Sequence, residues 1–413
     1  MTKKSDAPAI RFKGFSDAWE QRKLSEITDK VTEKNAGLQY VETFTNSAEF
    51  GIISQRDFFD HDIAKLGSLD GYYIVKNEDF VYNPRISTSA PVGPINRNKL
   101  GRTGVMSPLY TVFRPHDIDT TYLEYFFKCG YWHSFMNFNG DSGARSDRFS
   151  IRDNVFFQMP IPIPDIDEQR KIGELLTCLD NLITLHQRKF EKLTNVKKSM
   201  LEKMFPQNGS SYPEIRFKGF TDPWEQRKLG DIGKARSGVG FPDTDQGGVT
   251  GVPFFKVSDM NLDGNENEMI VANNYVTAEQ IADHRWSPIT ELPAIFFAKV
   301  GAAVMLNRKR LCRFPFLLDN NTMAYSLSPT KWDADFAKAL FGTVDLTSLV
   351  QVGALPSYNA GDVESMGIYL PSLFEQEQIG AFFKLLDNLI TLHQRELEKL
   401  QNIKKSMLEK MFV

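Results

Sequence analysis

Cysteine is scarce: Cys129, Cys178 and Cys312 are three in 413 residues, far apart and without a C-x-x-C pair. That excludes a disulfide framework and a zinc ribbon, and it suits a reduced, cytoplasmic setting. No apolar run approaches eighteen residues, and the opening MTKKSDAPAI has no signal-peptide core, so neither a membrane span nor secretion is expected. Excess positive charge is missing as well. Lys and Arg number 49 against 52 Asp and Glu, for a net charge of −3, which speaks against a nucleic-acid partner unless the charge is unevenly spread.

Catalytic signatures are also absent. Gly233-Lys234-Ala235 lacks the earlier glycine and the Ser/Thr of a phosphate-binding P-loop, and Gly238-Val239-Gly240 is too short for a methyl-donor loop. Asn83-Pro84-Arg85-Ile86 lacks the second proline and the aromatic that hold a flipped base. Pro164-Asp165 and Pro242-Asp243 have no Asp/Glu-x-Lys partner for nuclease chemistry, and His61-Asp62 is a lone dyad. His186 and His393 fall inside helical patterns, where packed or hydrogen-bonded histidines are the ordinary outcome. No catalysis, metal or cofactor is expected in this chain.

What is present is duplication. Asp165 to Phe205 returns as Ser372 to Phe412 with the decapeptide LDNLITLHQR unchanged, offset by 207 residues (375 − 168). Ile10 to Leu24, IRFKGFSDAWEQRKL, returns as Ile215 to Leu229, offset by 205 (215 − 10). The intervening segments, about 25–164 and 230–371, differ almost throughout. Scaffold was copied and kept, and the middles diverged.

Each 165–205-type copy predicts one long helix. Ile172, Leu179, His186, Leu193 and Met200 recur every seven residues, as do Ile379, Leu386, His393, Leu400 and Met407, the period of a left-handed coiled coil. Leu175, Leu182 and Val196, with Phe382, Leu389 and Ile403, are expected to fill the second seam. On that reading, glutamate at Leu182 and Leu389 should open the pair. Pro164 and Pro371 precede capping boxes, Asp165-x-x-Glu168 and Ser372-x-x-Glu375. A rod of about 58 Å follows from the length, although an ordinary core helix would show a similar apolar stripe. Phe205 and Ile215 lie within about 35 Å of each other, so the helices are expected to run antiparallel with one variable domain at each end.

The middles read as mixed α/β. Tyr73–Val75, Leu109–Phe113, Phe254–Val257 and Ala294–Phe297 predict strands, and Tyr122–Cys129 and Asp335–Phe341 predict short helices. Their charge is uneven. Asn83 to Pro115 holds Arg85, Arg97, Lys99, Arg102 and Arg114 with no acid, and Leu292 to Leu318 holds Lys299, Arg308, Lys309, Arg310 and Arg313 with none. Either tract alone reads as a solvated face. Two at matched positions suit loops that meet phosphates and base edges. Arg145, Arg148 and Arg152 precede the first long helix, and their counterparts Ser357, Tyr358 and Asn359 are uncharged. Tyr358, like Tyr82, Tyr110 and Tyr325, could touch nucleic acid or pack in a core.

The paired FKGF-x-D-x-WEQRKL openings, the dissimilar middles and the two EQ-x-x-I…LDNLI helices resemble the specificity subunit of a type I restriction-modification enzyme, from Ile10 to Phe412. The resemblance implies an α+β chain in which two mixed α/β target recognition domains are held apart by two long antiparallel coiled-coil helices, with internal pseudo-two-fold symmetry. The domains would span 1–164 and 207–371, and the spacer helices 165–206 and 372–413. Each domain would read one half of a bipartite, asymmetric double-stranded DNA target. The helices would dock two methyltransferase subunits, which restriction (translocase) subunits join. S-adenosylmethionine, ATP and Mg2+ are implied for those partners, and none for this chain. Base-reading side chains do not carry over from the family. A stand-alone, two-headed DNA-binding regulator would share the same architecture.

Overall fold

A two-stranded clasp closes each half of the chain. In this computed structural model, which describes residues 8–59, 66–141, 147–207, 209–351 and 355–412, the chain divides into two units. The first comprises Met1–Leu185 with Glu396–Val413, and the second His186–Arg395.

In the first unit β1 (Glu20–Lys23) lies antiparallel to Pro160–Ile163. The prolines there donate no amide, which is tolerable only in a ladder of this edge kind. A four-stranded antiparallel sheet follows, built from β2 (Thr28–Lys30), β3 (Phe80–Tyr82), β4 (Ile95–Arg97) and β5 (Thr111–Pro115) in the order β2-β5-β3-β4. Helix α1 (Thr120–Lys128) is capped by Asp119, which accepts from the Tyr122 amide at 2.8 Å. Its apolar face meets Phe80, Phe113 and Ile172 in one core. The clasp strand β6 (Pro160–Ile163) then leads into the long helix α2 (Ile166–Lys203).

The second unit repeats this plan. The clasp is β7 (Glu225–Lys228) against Gly367–Leu370. Its sheet joins β8 (Gly233–Ser237), β9 (Ala294–Ala298), β10 (Lys309–Cys312) and β11 (Thr322–Leu327) in the order β8-β11-β9-β10. Helix α3 (Ala334–Thr343), capped by Asp333, packs on it, and β12 (Gly367–Leu370) leads into α4 (Leu373–Lys410). The predicted strand at 109–113 forms two residues later, and the one at 254–257 forms as Val252–Phe255.

Each unit also contains a segment of both long helices, running antiparallel. In the first, Lys404 meets Asp180 at 2.5 Å, and Met411 and Phe412 enter the core beside Ile172, Leu176 and Leu179. In the second, Lys197 meets Asp387 at 2.5 Å and the His186 and His393 Nδ1 atoms lie 3.2 Å apart. Met204 and Phe205 join Ile379, Phe383 and Leu386 in that unit's core. The LDN and KKS stretches are thus kept in both copies because each carboxylate needs the other copy's lysine.

Partial burial pushes the Asp180 carboxyl up, but hydrogen bonds from Lys404 and Tyr125 and the Lys404 and Lys128 charges bring it below its ordinary value. The folded form therefore binds fewer protons than the unfolded one. The stabilisation is full above the ordinary carboxylate range and fades as pH falls through about 4 and below. The wild type is expected to melt about 2 °C above Asp180→Asn at pH 6, with the gap closing at pH 3. A gap independent of pH in melting curves would count against the ion pair.

The seam keeps its expected register except at Leu182 and Leu389. Ile172, Leu179, Ile379 and Leu386 are buried, and Leu193 and Leu400 are half-buried against the cores. Leu182, however, is 38% exposed, and Leu389 belongs to none of the buried clusters. The rest of the expected second seam, Leu175, Val196, Phe382 and Ile403, packs against the cores, joined four residues after a seam position by buried Leu176 and Phe383. An α-helix turns 100° per residue, so positions three and four residues on flank the seam on either side.

The capping boxes are only half formed. Asp165 Oδ1 accepts from the Glu168 amide at 3.0 Å, but the Glu168 side chain does not reach back to the cap. Fully buried, it takes two hydrogen bonds from Arg11 (2.7 and 2.8 Å) and one from Trp19 Nε1 (3.2 Å). Glu375 is gripped in the same way by Arg216, at 2.7 Å twice. Gln169 and Gln376 bridge the amides of Asp119 and Asp333 to the carbonyls of Pro164 and Pro371. The two duplicated motifs are therefore halves of one lock.

Candidate nucleic-acid interface

In the first unit, β3 runs into a loop that turns back at Gly93, where φ is +86° and a Cβ would sit 2.1 Å from the Asn83 carbonyl oxygen. Only glycine fits there. Asn83 anchors the loop: its side chain donates to the Asn46 carbonyl (2.8 Å) and accepts from the Arg85 amide (3.0 Å). The Phe149 amide donates to the Pro84 carbonyl and the Ile86 amide to that of Asp147. These two bonds flank Arg85 and Arg148, which face each other across an antiparallel bridge.

In such a non-hydrogen-bonded pair the Cα atoms approach to about 4.5 Å and the side chains leave on the same face. Like charges directly opposite are destabilising. Among the described residues, neither arginine has a carboxylate within ion-pair distance. Arg148 also lines a cavity of about 460 Å3 with Tyr73, Pro84, Leu109 and Tyr110. Two unneutralised guanidinium groups held together on a fixed loop can receive phosphate oxygens, or the O6 and N7 acceptors of guanine.

The second unit builds the same bridge from different residues. The Tyr358 amide donates to the Lys299 carbonyl and the Gly301 amide to that of Pro356, so Val300 faces Ser357. Exposed Met305, Leu306 and Leu355 lie in neighbouring stretches. This face is uncharged where its counterpart carries two arginines.

Other expected contacts fall elsewhere. Arg97 is half-buried with its side chain only 8% exposed, and its guanidinium serves Glu78, Glu124, Thr120 and Thr121. Tyr358 is 5% exposed and donates to the Ala298 carbonyl. Neither is available to a duplex. Lys99 pairs with Glu124, Arg102 is gripped twice by Glu42, and Arg313 is shared between Glu268 and Asp335. Lys299 is half-buried. Arg308, Lys309 and Arg310 come together against the long helices, lining one cavity. Arg145 and His61-Asp62 lie outside the described residues.

Tyr82 and Tyr325 are buried, with their hydroxyls on the Val92 and Leu229 carbonyls. Burial pushes the Cys129 and Cys312 thiols up to about 12, so neither is a nucleophile at neutral pH. Among the described residues no three His, Cys, Asp or Glu side chains converge as metal ligands, and no helix is long and apolar enough to cross a membrane.

A family model described as the type I restriction modification DNA specificity domain matches the chain twice, over residues 16–195 and 221–402. The MjaVIII specificity subunit of a type I restriction enzyme from Methanocaldococcus jannaschii is 24% identical over 279 residues, 62% of this chain and 61% of that protein. The putative MjaX specificity subunit from the same organism is 25% identical over 272 residues, 63% and 60% of the two chains. This chain thus spans about six-tenths of the length of the curated relatives it matches. The crystal structure of a type I restriction-modification S subunit from M. genitalium aligns with a TM-score of 0.60 over 98% of this chain and 99% of that one, at 14% identity. At that identity the likeness is one of fold.

Proposed function

The chain belongs to the type I restriction-modification DNA specificity family, holding its domain twice, and from that premise we propose that it is the DNA-recognition subunit of such a complex. Each middle domain reads one half of a bipartite target, and the long helices set the number of unread base pairs between the halves. The observation that carries this is the paired bridge: one backbone arrangement, Arg85 and Arg148 in one unit, Val300 and Ser357 in the other. A shared frame with exchanged side chains is what two unlike half-sites need. The arginine face suits guanine or phosphate, and the apolar one suits thymine methyl groups. Methyl transfer and DNA translocation, with S-adenosylmethionine, ATP and Mg2+, belong in this reading to partner subunits.

Docking of those partners is assigned to the outward side of the long helices. Cys178 and Leu185 are exposed in the first unit, and Leu385 and Leu392 in the second, at positions related by the 207-residue repeat; Leu182 is exposed beside them, while its counterpart Leu389 is half-buried. Apolar side chains kept exposed in both copies fit one methyltransferase subunit on each. Leu182→Glu with Leu392→Glu is expected to leave the melting temperature within about 1 °C and to abolish co-purification with the methyltransferase subunit. Leu179→Glu, placed in the core, should unfold its unit instead. Intact co-purification of the exposed-site variant would move docking to another face.

The reading as a whole is tested by mapping methylated adenines in cells that hold the partner subunits, with and without this chain. Appearance of a bipartite motif only in its presence is expected. Nanomolar, target-specific binding by the isolated chain, with no methylation in the presence of partners, would assign it to a free-standing regulator.

A further inference from the structure

The cations at 308–310 are unlike the others in the second unit. Lys197 and Lys338 both bond Asp387, at 2.5 and 2.7 Å, and Lys384 bonds Asp335 at 3.0 Å. Each of those lysines has a carboxylate partner. Arg308, Lys309 and Arg310 have only neutral partners: the Asn261 side-chain oxygen for Arg308, the Val344 carbonyl for Lys309, and the Asn265 and Lys309 carbonyls for Arg310. Among the described residues none of the three has a carboxylate within ion-pair distance. Of the three acids on the cavity wall, Asp335 and Asp387 are taken by the lysines, and Glu266 accepts from the Gly264 amide (3.0 Å); Asp345, outside the wall, is turned to Thr347.

All three cations line one cavity of about 270 Å3, walled by Lys197, Phe383 and Lys384 of the long helices. Burial pulls the Lys309 ammonium down to about 8, against the opposing pull of Asp345. Arg310 is lowered by burial and then by the charge of Arg308. Glu266 and Asp345 offset Arg310 and Lys309 only at a distance, so three cations without an ion-pair partner, grouped in a recess, cost stability unless an anion fills it. The volume lies just below the range of drug-sized pockets, which is room for a phosphate or a diphosphate. The enclosure by helix side chains favours a small free ion over the backbone of a duplex.

We infer that this cavity is a binding site for a phosphate group, carried by a small free phosphate compound or by the DNA backbone. Three cations line it, each with donors to spare for the oxygens of a tetrahedral oxyanion. The site is separate from the Arg85–Arg148 face and does not rest on that face reading bases.

Thermal unfolding of the full chain tests it, with sodium pyrophosphate compared against sodium chloride at equal ionic strength. Millimolar pyrophosphate is expected to raise the melting temperature by about 3 °C or more over chloride. Arg308→Gln should lose at least half of that rise and Arg308→Gln with Arg310→Gln all of it, while Arg85→Gln keeps it. No rise with either pyrophosphate or a duplex of random sequence, or a rise retained in the double variant or lost in Arg85→Gln, overturns the site. Because Arg310 also ties down the Asn265 carbonyl, calorimetric titration of the unaltered chain gives a second reading. Affinity for pyrophosphate should fall at least threefold from pH 7 to pH 9 as Lys309 loses its proton, and a pH-independent affinity removes Lys309 from the site. A duplex of random sequence that raises the melting temperature with the same dependence on 308 and 310, where pyrophosphate does not, identifies the phosphate as the backbone's.

Discussion

Glu168→Ala is expected to destabilise the first unit by about 3 kcal/mol. The carboxylate is fully buried and accepts three hydrogen bonds, two from Arg11 and one from Trp19. Removing one partner of such a pair leaves the other's charge without its counter-ion, which costs about 3–5 kcal/mol when both are buried. Arg11 keeps 13% of its side chain exposed, which places the value at the lower end. Glu375→Ala should cost less, because Trp224 Nε1 finds no acceptor in the second unit, whereas its counterpart Trp19 bonds Glu168. Hydrogen exchange read separately over the two units measures both. A double-mutant cycle with Arg11→Ala should return a coupling above about 1 kcal/mol. Additive losses would mean that Glu168 acts through packing alone.

Arg85→Ala and Arg148→Ala should relax recognition in one half of the target and leave the other half intact. A bidentate arginine–guanine contact discriminates by about 1–3 kcal/mol, or roughly ten- to more than a hundredfold between correct and altered bases. Methylation of a library randomised in each half-site, by the complete complex, reads this directly. A uniform loss across all sequences, with a shallower salt dependence, would make the pair a phosphate clamp. Val300→Arg with Ser357→Arg, the reciprocal exchange, should alter only the other half. The folds of the variants should be unaffected, since removing one of two opposed like charges relieves repulsion.

Glu168 and Arg85 differ in how much of their role the sequence discloses. The duplication of EQ marked Glu168 and Glu375 as important, and their spacing from Asp165 and Ser372 suggested reciprocal caps. The lock with Arg11 and Arg216 reaches across 157 and 159 residues, and no local spacing reports on that. Charge tracts misled for the same reason. Arg97 and Arg313 look free in sequence, yet Glu124 and Glu268 neutralise them after the chain has folded back. Tyr358 lies in a polar stretch and is buried by the sheet beside it. Leu182 carries the right residue at the right period and still faces outward.

By itself, then, the sequence determined the duplicated plan, the long helices with their proline-led starts, the seven-residue seam positions Ile172, Leu179, Ile379 and Leu386, and the boundary between constant and variable segments. These rest on interactions within a few residues of each other, where backbone geometry leaves little choice. Tertiary structure alone decided that Leu182 stays exposed, which cations are neutralised, and that Arg85 meets Arg148 where Val300 meets Ser357. Those outcomes depend on segments brought together from distant parts of the chain, and a side chain's charge or apolarity says what it can bind, not what arrives beside it.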